Sequence, residues 1–93
     1  MAMNIKDANM IPAGYFADAS ITASTALTIP ANARAAIIQA VTATVYWTDD
    51  GTTPVDTTTG MALAAGESFF YVGQLEKFRC ISATGEIRVS FYK

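Results

Sequence analysis

The chain has 93 residues, a net charge of −2, one cysteine and no histidine, which excludes an intrachain disulfide and the commonest zinc constellations. Its six cations are scattered, with Lys77 and Arg79 the nearest approach to a cluster, and this argues against a nucleic-acid partner, because phosphate binding needs several cations on one face. No apolar run approaches the ~20 residues of a membrane helix, and Asp7 interrupts "MAMNIKDANMIPAG", unlike a secretory signal.

Residues 1–24, "MAMNIKDANMIPAGYFADASITAS", have no clean periodicity, three methionines, and Tyr15-Phe16 after a Pro-Ala-Gly turn. They are more apolar than a disordered tail. The segment reads as an N-terminal arm that orders against a neighbouring subunit, with Met10, Ile11, Tyr15 and Phe16 as candidate contacts.

Residues 25–93 read as one β domain. "TALTI" (25–29) is a strand closed by Pro30, and "RAAIIQA" (34–40) is either its own strand or an extension of the next. In "VTATVYWT" (41–48), Val41, Ala43, Val45 and Trp47 alternate with Thr42, Thr44, Tyr46 and Thr48. Period two predicts a half-buried strand with the aliphatic and indole face inward. Downstream come a short strand at 61–63, a turn through Ala64, Ala65, Gly66 and Glu67, and strands at 68–72, 77–82 and 87–92. A tight turn at 83–86 uses Gly85 for a positive φ. The expected fold is all-β, a small antiparallel β-sandwich or barrel with an extended N-terminal arm. Val41, Val45, Trp47, Ile87, Val89 and Phe91 are its predicted shared core.

The loop "WTDDGTTPVDTTTG" (47–60) sets Asp49 beside Asp50. Calcium loops space their carboxylates at alternating positions, and a glycosidase pair must flank one bond. Neighbours at a strand end point to opposite faces. Asp-Gly followed by Pro54 is turn chemistry, so the loop is expected to be a turn that holds no metal and does no catalysis. Cys80 reads as a small buried hydrophobe, since no histidine exists to activate it. Serine nucleophiles lack a base for the same reason. No cofactor site and no catalytic site are expected. Tyr46 and Trp47 must lie on opposite faces, and Phe69, Phe70 and Tyr71 must also divide between faces. Tyr46, Trp47 or Tyr71 could serve a carbohydrate-binding module, and Tyr46 and Tyr71 are candidate partner contacts.

The order of motifs from residue 34 to residue 93 resembles a small family of structural proteins encoded among the virion genes of tailed bacteriophages. An aromatic strand precedes Asp49, Asp50, Gly51, Thr52 and Pro54, then Gly60, Met61 and Leu63 lead into Ala65, Gly66 and Glu67. Tyr71, Val72, Gly73 and Leu75 follow, and Phe91 and Tyr92 end the last strand. Gln74 stands where the family pattern has an acidic residue, so a carboxylate role there does not carry over. The resemblance implies a β-sandwich virion protein, a decoration or cement protein on the capsid surface, with the major capsid protein as its partner. It would be made in the host cytoplasm. A neck, tail or fibre component is the alternative within virions.

Size and composition add an expectation of their own. A domain of this length buries only roughly 60–65% of the surface its unfolded chain exposes. With 52% hydrophobic and 15% charged residues, a homo-oligomer is the support expected for so small a core.

Overall fold

The computed structural model describes residues 11–93. These residues form eight strands. These are β1 (Pro12–Asp18), β2 (Thr25–Ala26), β3 (Ala35–Val41), β4 (Val45–Thr48), β5 (Met61–Leu63), β6 (Ser68–Val72), β7 (Arg79–Ile81) and β8 (Glu86–Tyr92). They form two four-stranded antiparallel sheets, one in the order β1-β8-β3-β6 and the other β2-β7-β4-β5. Among the described residues the only helical element is a 3-10 turn at Leu75–Lys77, and no helix is long and apolar enough to cross a membrane.

The inner faces meet in one core. β8 contributes Ile87, Val89 and Phe91, β3 contributes Ala36, Ile38 and Ala40, and Val45, Phe78 and Cys80 come from the opposite sheet and its approach. Alternation in β8 is regular because its outward residues, Arg88, Ser90 and Tyr92, never interrupt the apolar series. Trp47 packs against this core half-buried.

Three expectations are corrected. "VTATVYWT" is not one strand: the chain leaves the first sheet after Val41 and enters the second at Val45. Thr42 makes the break with φ +72°. Val41 accordingly pairs with Glu86 on the outward register of β3, half-buried and outside the core.

Gly85 does not supply a hairpin turn of positive φ, because residues 82–85 carry the chain from β7 in one sheet to β8 in the other. Glycine is needed there for space. A Cβ at Gly85 would lie 2.4 Å from the Ser82 hydroxyl oxygen.

The segment read as an arm also belongs to the sandwich from residue 11 onward. Ile11 exchanges two backbone hydrogen bonds with Lys93 (2.9 and 2.8 Å), β1 pairs with β8 along its length, and Ile21 is fully buried. A register shift between Pro12 and Gly14, together with small alanines, masks the strand's alternation. Residues 1–10, Met10 among them, lie outside the described residues.

Candidate interaction surface

An antiparallel sheet packed on one side ordinarily turns polar residues to water on the other. The outer face of the β1-β8-β3-β6 sheet does not follow this. Its pairing lines Tyr15, Ser90, Ile37 and Phe70 in one cross-strand row, with Tyr92, Ala35 and Val72 in the next. Phe70 and Tyr92 meet across β3 with ring centroids 6.5 Å apart, and the Ser90 hydroxyl donates to the Tyr92 oxygen at 3.3 Å. Tyr15 is 67% exposed and Val72 60%. Among the described residues the charge on this face comes from Arg88 and Glu86, which pair with each other at 3.0 Å. A shallow depression of about 290 Å³ between Tyr15, Ile37 and Arg88 leaves the surface slightly concave. Chemically it is an aromatic and aliphatic patch with almost no net charge, suited to covering by another protein surface.

A second feature lies between the edge strands β5 and β6. An open cleft of about 420 Å³ is lined by Trp47, Phe69, Met61, Leu63 and Glu67. Trp47 is stacked on Phe69 (centroids 5.0 Å, planes 22° apart) and on Phe78 (5.3 Å, 15°). Tyr71 approaches Trp47 and Phe78 edge-on. The indole is thus engaged by two phenyl rings of its own chain.

The acidic loop has structural work to do. The Thr52 N–H donates to Asp50 Oδ1 at 2.9 Å, closing an Asx turn over Gly51, whose φ is +88°. Hydrogen bonding from Thr52 holds the Asp50 carboxyl below its ordinary range. Asp49 accepts a 3.3 Å hydrogen bond from the Tyr71 hydroxyl. Burial, with the Asp49 charge second, pushes the Tyr71 hydroxyl pKa up. The neighbouring carboxylates therefore serve separate partners. Among the described residues no three His, Cys, Asp or Glu side chains gather in metal-binding proximity. Cys80 is fully buried, and burial raises its thiol to about 12, so it stays protonated at neutral pH.

The six residues expected to contact a partner separate accordingly. Ile11 and Tyr15 are exposed, and Tyr46 lies half-buried on the outer face of the second sheet, between Ala62 and Ile81. Phe16 and Tyr71 turn inward and pack half-buried against the core. For Phe16 the reason is register: it pairs with Val89, an inward residue. Met10 is outside the described residues. Ile37, Phe70, Val72 and Tyr92 were missed. The run Phe69-Phe70-Tyr71 carried part of the signal, since period two must turn one of the three outward, and that residue is Phe70. No family model, curated protein or solved structure matches this chain.

Proposed function

We propose that the chain is a non-enzymatic structural protein of a virion, a decoration or cement protein seated on the phage head, where it bridges neighbouring capsid subunits. The observation that carries this reading is the apolar outer face of the β1-β8-β3-β6 sheet, centred on Tyr15, Ile37 and Phe70. It lies on a sandwich whose own core is already filled from the other side. The motif order from Asp49 to Tyr92 supports the virion assignment. Weak apolar contacts gain strength on a lattice, where a second contact forms at high effective concentration. The buried Cys80 thiol and the turn-bound Asp50 carboxylate favour a structural over a catalytic role.

Copy number tests it. Purified particles should carry the chain at a ratio to the major capsid protein set by the lattice. Tyr15→Asp should abolish binding to stripped particles while leaving the circular dichroism spectrum unchanged. A dozen or so copies per particle would move the protein to the neck, tail or fibre.

The cleft between β5 and β6 favours a second reading, carbohydrate binding, because it sets Glu67 beside Trp47 and Phe69. The stacking of Trp47 on Phe69 and Phe78 weighs against it, since the ring contacts a sugar would need are occupied from within. Saturable binding on a glycan array, lost in Glu67→Gln at an unchanged melting temperature, would favour the lectin reading over cement.

A further inference from the structure

Among the described residues the two open sheets have four edge strands, β1, β6, β2 and β5. Exposed edges invite pairing with another chain, and proteins blunt them with proline, bulges, charge or shortness. Three of these edges are blunted. β1 carries Pro12, a register shift before Gly14, and Asp18. β2 has two residues and β5 three. β6, "SFFYV", has five residues with no charge and no proline, and pairs with β3 in unbroken register.

The hydrogen-bonding sense of β6 follows from its start. Ala40 N–H donates to the Glu67 carbonyl at 3.0 Å, and Ala40 stands opposite Glu67 by continuation of the register. Alternation along an antiparallel ladder then points the backbone groups of Phe69 and Tyr71 at β3. Those of Ser68, Phe70 and Val72 point away from it, towards the open edge.

We propose that this edge pairs with the same edge of a second copy, antiparallel about a two-fold axis at Phe70, joining two four-stranded sheets into one of eight. In that register Phe70 faces Phe70 of the other copy and Ser68 faces Val72. The three outward N–H and three outward C=O groups of each strand are then all satisfied. No like charges oppose one another, because the strand has none. The pairing is self-complementary, as a closed two-fold interface must be. It also makes the apolar outer faces continuous, with the Phe70–Tyr92 contact of each copy meeting at the dyad. Met61 of β5, 64% exposed beside the same seam, gains cover. A five-residue edge falls short of the ~800 Å² per partner of a standard interface, so the dimer is concentration-dependent. The inference stands apart from the virion reading, because the pure chain should show it without particles.

Sedimentation velocity on the full chain should show a monomer that converts to dimer as concentration rises. Val72→Pro removes an N–H that does not bond β3, so it should abolish the dimer and keep the β spectrum. Phe70→Cys should form an intermolecular disulfide on mild oxidation. Ser68→Cys alone should not, whereas Ser68→Cys with Val72→Cys should. This double variant keeps the register test available if Phe70→Cys folds poorly. A chain that stays monomeric up to its highest soluble concentration overturns the proposal, as does a dimer that survives Val72→Pro with residue 70 uncrosslinked. Loss of particle binding in Val72→Pro from a strictly monomeric protein would assign the edge to a strand of another protein.

Discussion

Trp47 of β4 stacks on Phe69 of β6, ring centroids 5.0 Å apart, and so joins the two sheets near their open edges. On its other side in the fold Trp47 stacks on Phe78, which is fully buried. Removing the indole leaves a cavity at the centre of the Phe69, Tyr71 and Phe78 cluster. Trp47→Ala should destabilise the domain by about 3–5 kcal/mol, and Trp47→Phe by clearly less. Urea unfolding followed by circular dichroism measures both, and equal stability of the alanine variant and wild type would refute the role.

Gly85 and Thr42 should respond in opposite directions. A methyl group at Gly85 meets the Ser82 hydroxyl, which itself donates to the Thr44 carbonyl at 2.8 Å, so Gly85→Ala should cost about 1–3 kcal/mol. Thr42 is β-branched at φ +72°, a region that strains such residues. Thr42→Gly should therefore leave stability unchanged or raise it by up to about 1 kcal/mol. Paired thermal melts decide both signs.

Alternation marks β8, as flanking turns mark β5 and β6, almost to the residue, because each is a short apolar series bounded by Gly or a polar turn. It failed at Thr42 because period two records which face a residue takes within a sheet and carries no mark of which sheet that is. Val41 and Val45 therefore looked alike. β1 was illegible for another reason: Pro12, Gly14 and the alanines give too little hydrophobic contrast to show a face. The candidate surface is legible at Tyr15 and in part at Phe70, through the run Phe69-Phe70-Tyr71. Ile37, Val72 and Tyr92 join it through cross-strand neighbours far away in sequence, a relation that exists only after folding.

Alkali should unfold the protein earlier than its acidity would suggest. Burial raises the Cys80 thiol from 9.0 to about 12 and also raises the Tyr71 hydroxyl. Both groups are neutral in the fold and ionise more easily in the unfolded chain. Their contribution is full below the unfolded pKa and is lost as pH rises through the folded one. The urea midpoint should fall steadily from about pH 9 towards pH 12. Cys80→Ala should flatten part of that fall and leave the share of Tyr71.

The paired acids should prove replaceable. Asparagine at position 50 can accept the same Thr52 N–H. At position 49 its amide oxygen can take the Tyr71 hydrogen bond. The double variant Asp49→Asn with Asp50→Asn should melt within a few degrees of wild type, and EDTA should not move either melt. A large drop on chelation would mean that the loop holds a metal.

Deleting residues 1–24 should do more than weaken an interface. It strips β1 from β8 and removes Ile21 from the core, leaving Val89 and Phe91 uncovered along one edge. The truncated chain should lose its cooperative thermal transition. A sharp melt near the wild-type temperature would show that the core closes without β1.

The path of the chain between sheets bears on how quickly the protein can form. Every connection between consecutive described strands crosses from one sheet to the other, except that from β4 to β5. Even that hairpin spans the long loop 49–60. No pair of neighbouring strands can therefore zip up locally to seed the rest, and β1 must await β8 from the far end of the chain. Loop-closure entropy comes first and contacts repay it late, which places folding on the slow, millisecond-to-second side for a domain this small. During that interval "SFFYV" has no β3 beside it. The rate of sheet closure thus governs how long that uncharged strand stays open to aggregation.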